Sequence, residues 1–168
     1  GLFDPSALSA GAYPITYELV ASACTISQQE IITVATCSAA VNVKVFLEGP
    51  YDVATGLMNN GLHTNGLLPT NQPYNIAPWN YNGRECINEI PTNMVDWVLL
   101  ELRDANDFDN IVQQKAALLL NNGNIIDEGG DGVHFYNLIQ NESYYMVVRH
   151  RNHLDVMSAV PVPVPNAN

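Results

Sequence analysis

The chain has 168 residues, 47% of them hydrophobic, and six Lys+Arg against seventeen Asp+Glu leave a net charge of −11. That length fits one domain, or one domain with a small extra unit, and the apolar content suffices for a real core. The charge excludes nucleic acid and disfavours an anionic membrane surface, because binding a polyanion takes clustered cations, and no apolar run approaches the roughly 20 residues that cross a bilayer.

Gly1 stands where an initiator Met would, which fits either a processed terminus or a boundary drawn within a larger protein. Cys24, Cys37 and Cys86 lack the close paired spacing of a zinc site. Few charges and many Asn, Thr and Tyr give an extracellular composition, where disulfides form, and three cysteines allow one bridge with one left over.

In chain order, residues 1–12 read as loop. Tyr13–Val20 then alternates, with Ile15, Tyr17 and Leu19 on one face, and after a polar turn Ile31–Val34 forms a second strand. Such a hairpin buries too little to be stable alone and must borrow a sheet. Val41–Leu47 is the next strand, with Val41, Val43, Val45 and Leu47 on one face. About 56 to 93 is a long irregular loop rich in Asn, Gly and Pro; its Leu57, Met58, Leu62, Leu67, Leu68, Tyr74, Trp79 and Tyr81 are expected mostly to cover a sheet. Val95–Leu102 is apolar on both faces, as a central strand is. Val112–Leu120 has helical propensity, yet Asn121-Asn-Gly-Asn124 before Ile125-Ile126 signals a hairpin, so strand is expected. Strands at Val133–Ile139, Tyr144–Arg151 and Leu154–Val160 follow. Glu101 is expected cross-strand from Arg149 or Arg151. In Val160-Pro-Val-Pro-Val-Pro165 the missing N–H groups all fall on one side, which suits either an edge strand with one usable side or a polyproline linker.

The set argues an all-β antiparallel β-sandwich (Ig-like), with the irregular loop at about 56–93 and an N-terminal hairpin extension. The expected units are 1–37 (a hairpin, completed by another subunit), 38–160 (the sandwich) and 161–168 (a Pro-rich tail).

Gly1-Leu-Phe-Asp-Pro-Ser-Ala-Leu-Ser-Ala-Gly-Ala-Tyr-Pro-Ile-Thr-Tyr17, with Ala23-Cys-Thr-Ile-Ser27 and Ile32-Thr-Val34, resembles the closing half of the immunoglobulin-like repeats in large surface adhesins of Bacteroidota. From about Val41 to Ala159 the chain resembles a β-rich module of secreted, type IX-exported surface proteins of the same group. The shared residues include Phe46-Leu-Glu-Gly-Pro-Tyr51, Leu68-Pro-Thr-Asn-Gln-Pro-Tyr74, Val95-Asp-Trp97, Leu100-Glu-Leu-Arg-Asp104 and Val148-Arg-His-Arg-Asn-His-Leu154. The resemblance implies an exported, adhesin-like setting at the cell surface or outside the cell. It also implies a Cys37–Cys86 disulfide: both are extra to the module's pattern, whereas Cys24 belongs to the half-repeat, whose other cysteine would lie in strands this chain lacks.

No Ser-His-Asp elbow, HExxH helix or phosphate loop is present, and no enzymatic activity is expected. His150 and His153 would meet one metal ion only if the chain bends at Asn152, and neither His63 nor His134 has the spacing of a third ligand. The expected role of Arg149, Arg151, Asn152 and His153 is instead to tie strand ends and the long loop by hydrogen bonds. Asp104, Asp107 and Asp109, or Asp127 and Asp131, are candidate calcium ligands, though neither loop has EF-hand spacing and solvated turns are the expectation; no cofactor is otherwise expected. Tyr74, Trp79 and Tyr81 are a candidate sugar platform, against the commoner fate of loop aromatics as a small core.

The leading functional reading is an extracellular structural subunit that assembles with copies of itself into a filament by inter-subunit strand complementation. Its assembly residues are Ile15, Tyr17, Leu19, Val20, Ile31, Ile32, Val34, Val162 and Val164. The alternative is a carbohydrate-binding module with surface glycans as partners.

Overall fold

A computed structural model describes residues 11–21, 24–34, 38–136, 138 and 142–164, with side chains at all of these except 19–21, 24–26 and 34. The chain divides into two compact units, Gly1–Cys37 and Ser38–Asn168.

In the first unit, β1 (Gly11–Ala21) and β2 (Cys24–Val34) form a two-stranded antiparallel sheet of their own. Pairing runs unbroken from Gly11↔Val34 to Ala21↔Cys24. Opposed residues share a face, so Tyr13, Ile15 and Tyr17 stand with Ile32, Glu30 and Gln28, while Pro14 and Thr16 stand with Ile31 and Gln29. The sequence places a polar turn before Ile31; the chain turns earlier, and Ser27–Glu30 are strand residues. Their exposure explains the difference: polar side chains in a ribbon open to water carry no desolvation cost.

The second unit starts with β3 (Ser38–Val41) and β4 (Val43–Lys44). The continuous strand expected over Val41–Leu47 is broken at Asn42, and the two pieces join different sheets. Gly132 permits the break, since a Cβ there would sit 2.8 Å from Asn42 Oδ1 and 3.3 Å from Val41 O. Val41, Val43 and Val45 still pack on the cluster that contains Leu47. β5 (Tyr51–Asp52) and β6 (Leu57–Met58) make a small ribbon, and α1 (Gly61–Thr64) is one helical turn.

β7 (Met94–Asp104) is the centre, buried from Met94 through Leu102. On one side of it lie β8 (Ile111–Leu120) and β9 (Asn124–Ile126). Gly123 (φ +87°) makes the turn between them, and Val112–Leu120 is strand, as the Asn-Gly signal requires. After β10 (Val133–Tyr136) come β11 (Ser143–His150), β12 (His153–Met157) and β13 (Val162–Pro163). The seven-stranded sheet runs β12-β11-β7-β8-β9-β4, with β13 also on β11, while β10 pairs with β3.

Alternation along β7 builds two cores. Val98, Leu100 and Leu102 join Tyr144, Met146 and Val148 of β11 beneath Ala39, Val133 and Phe135 of the β3–β10 ribbon, a sandwich-like layer pair. Met94, Trp97 and Leu99 face Leu68, Tyr74 and Ile87 of the long loop. A bulge between Met94 and Asp96 lets Met94 and Trp97, three apart, share that second cluster. The fold is therefore nearly all β with antiparallel sheets, and the loop at 56–93 supplies the cover that a second sheet face needs.

That loop is knit internally. Gln72, buried, donates from Nε2 to Gly83 O (2.8 Å) and accepts from Tyr74 N–H (2.6 Å). Tyr74 OH donates to Trp97 O (2.7 Å), and Trp97 Nε1 donates back to Pro69 O (2.9 Å). These reciprocal bonds clamp loop to sheet. Leu62 and Leu67 remain exposed.

Candidate functional site

Two features of this frame bear on assembly. The first is the β1–β2 ribbon, where Tyr17 is 59% and Ile31 70% exposed and Ile15 and Ile32 are half-buried. Leu19, Val20 and Val34 have their backbones in the ribbon, but their side chains lie outside the described residues. The second is the outer border of the seven-stranded sheet, formed by β12 and then β13 along the same neighbour, β11. β12 shows Leu154 (91% exposed), Val156 and Met157 to solvent, residues to which sequence reasoning gave no role.

The tail corrects one expectation. Val162 and Val164 were assigned to an inter-subunit junction, yet Val164 is buried in this chain's own core and its N–H donates to Glu142 O (3.4 Å). Val162 pairs with Tyr144 of β11. The one-sided proline pattern is used, but inside the chain. β11 offers a free edge beside the tail, and a segment tethered to that edge reaches it with less entropy loss than a separate subunit.

The β11–β12 turn carries two of the chain's four arginines and two of its four histidines. The chain bends at Arg151 and Asn152, so His150 and His153 become register partners with ring centroids 5.4 Å apart. Asp96, 2% exposed at the β7 bulge, receives Arg151 Nη2 on both oxygens (2.6 and 2.8 Å), Trp97 N–H (2.8 Å) and His150 Nε2 (3.0 Å). Asn152 N–H donates to His150 Nδ1 (3.2 Å), which leaves the ring proton on Nε2, facing Asp96. Burial raises the Asp96 carboxyl, but the His150 bond and the Arg151 charge outweigh it and hold the group below the ordinary carboxylate range. A lone acid inside Met94-Val-Asp-Trp-Val-Leu-Leu100 was the signal available in the sequence, since such a group needs a partner.

A cleft of about 500 Å³ opens beside this knot, walled by Leu47, Leu62 and Val95 and rimmed by Asn59, Asn65 and His153. It contains no Ser, Thr or Cys to act as a nucleophile. His63 and His134 do not line it: His63 lies in α1 with Nδ1 buried and unpartnered, and His134 Nδ1 pairs with Asp127 (2.7 Å). Among the described residues no three His, Cys, Asp or Glu side chains gather as metal ligands. Of the candidate calcium ligands, Asp104 and Asp107 accept N–H groups of Asn106 and Asp109, and Asp127 accepts Gly129 N–H, so these carboxylates brace their own turns.

A second polar network crosses four strands, β8, β7, β11 and β12. Glu101, 1% exposed, accepts Arg103 Nε (2.9 Å) and Nη2 (2.6 Å) and Gln114 Nε2 (2.9 Å), and lies 2.7 Å from Arg149 Nε. Arg149 continues to Asp155 of β12 (2.9 Å). The expected cross-strand pair is thus present, on a diagonal, since Glu101 stands directly opposite Val147.

The sugar platform of Tyr74, Trp79 and Tyr81 is not formed. Tyr74 is fully buried and Trp79 meets it edge-on (87° between planes, 5.2 Å), while half-buried Tyr81 donates to Glu85 (2.5 Å). The physical reason is the unprotected second face of β7 and β8, which these rings cover. Cys86 is exposed and carries a free thiol; Cys37 and the Cys24 side chain lie outside the described residues.

Fold and surface define an all-β, sandwich-like protein with a two-stranded ribbon in its first unit and an exposed sheet edge in its second. No protein-family model, curated protein or solved structure matches the chain.

Proposed function

We propose that this chain is an extracellular structural subunit that polymerises by strand addition, the β1–β2 ribbon of one copy completing a sheet of the next. The observation that carries the reading is the ribbon itself. Its two 11-residue strands pair with each other and with no third described strand. A two-stranded hairpin is at best marginally stable in water, and its outer edges carry open N–H and C=O groups. Tyr17 on one face of the ribbon and Ile31 on the other add exposed apolar surface. Addition to a neighbour's sheet satisfies both needs at once. Because the contact joins the front of one copy to a different surface of the next, it is heterologous and propagates as a fibre when it does not close.

Removing residues 1–37 tests the reading. The 38–168 unit keeps both of its cores, so the truncated protein is expected to stay folded and monodisperse by negative-stain imaging, while the full chain forms filaments. Filaments from the truncated protein, or a full chain that never assembles, would sink the proposal.

A further inference from the structure

We infer that the surface receiving a neighbour's ribbon is the outer edge of β12; this rests on the assembly reading above and names its acceptor. The direction of the backbone groups selects it. Ser158 N–H donates inward to Met146 O (2.9 Å), and Val156 stands opposite Val148 two residues earlier. By the two-residue alternation of an antiparallel ladder, the N–H and C=O groups of Met157 point away from β11, and the register shifts only beyond Val156, between Val148 and His150. Along β13 the inward bond of Val164 N–H fixes the opposite outcome: the outward nitrogen there is that of Pro163, which has no proton. The border of the sheet is therefore open at Met157 and has no outward donor at Pro163, so an incoming strand has a defined stop.

Side chains agree with the backbone. Natural edges are blunted by charged side chains, Pro, bulges or short length; β12 has no Lys or Pro, its Asp155 is paired with Arg149 (2.9 Å), and its bulge lies before Val156. The far edge of the same sheet, β4, is two residues long and ends in Lys44. β12 is five residues long and exposes Leu154 (91%), Val156 (49%) and Met157 (46%). The occupant is a second copy of this chain. Each copy carries one ribbon with no third described strand and one such edge, so the two halves occur in equal number in any solution of the protein alone.

Met157→Pro is the test. It removes an outward N–H and no internal ladder bond, so β12 stays paired with β11 while the open edge loses a donor. Leu154→Lys, at a site with no packing to lose, is the second variant and guards against misfolding of the first. Both are expected to keep the wild-type melting temperature and to lose sedimentable polymer. Met157→Pro added at low ratio to wild type is expected to shorten the fibres, because it still offers its ribbon but accepts none. Polymers of normal length from either folded variant overturn the β12 assignment and leave the ribbon reading standing. A wild-type chain that stays monomeric at every concentration overturns both.

Discussion

Glu101 sits in the middle of the central strand with almost no access to water, and its position is tolerable because every approach to the carboxylate is filled by a donor. Two arginines and Gln114 surround it. Burial raises its carboxyl, and the bonds from Arg103 and Gln114 with the charge of Arg149 outweigh that and lower it below the ordinary range. Replacing it with Gln keeps the shape but leaves two cations without their shared anion, a loss of about 3 kcal/mol at neutral pH. The sign of the pH effect follows from the lowered value. The stabilisation is complete above the unfolded carboxyl value near ~4.3 and disappears as pH falls through the folded one. Urea unfolding of wild type is therefore expected to weaken below about pH 4, and Glu101→Gln to flatten that decline. An equal slope in both proteins would remove Glu101 from the acid response. Asp96 shifts in the same direction and leaves a residual slope in the variant.

The tail pairs within its own chain, although its one-sided proline pattern suits a junction between subunits. β13 occupies the half of the β11 edge that β12 does not reach, and Val164 closes the core beside Tyr144 and Met146. Ending the chain at Val160 exposes that end of the core and uncovers the backbone of Ser143 and Tyr144. The expected cost is roughly 2 kcal/mol from lost apolar burial, read as a lower midpoint in urea. New association through the bared edge is also expected, even in a chain that lacks residues 1–37. A truncated protein as stable as the parent would show that β13 contributes no net packing energy.

At the scale of the whole molecule, the two units differ in what holds them. The second has two apolar clusters on either face of its sheet, and the first has a ribbon with exposed Tyr17 and Ile31. Hydrogen exchange reports this contrast directly. Amides of Val98–Leu102 should be protected at any protein concentration, because their protection comes from the unit's own core. Amides of Ile15–Tyr17 and Gln29–Ile31 should exchange fast in dilute protein and become protected as concentration rises, since their partner is another copy. Concentration-independent protection of the ribbon would mean that it is held within its own chain.

The sequence by itself determined the long strands of the second unit, β7, β8 and β11, and for a physical reason: their signals are local. Two-sided apolarity at Val95–Leu102, Asn-Gly before Ile125 and alternation at Tyr144–Val148 each depend on neighbours a few residues away. The Glu101–Arg149 pair was legible as well, because antiparallel pairing of two such strands limits where opposite charges can meet. What only the tertiary structure decided depends on contacts between segments far apart in the chain. The break at Asn42 is set by Gly132, and the burial of Tyr74 by the uncovered face of β7 and β8. The inward turn of Val164 depends on a vacant stretch of β11, and the exposure of Leu154 on the absence of a further described strand beyond β12. No alternation of residues within a segment records whether another segment lies beside it, and that neighbour decides whether a strand is core or edge.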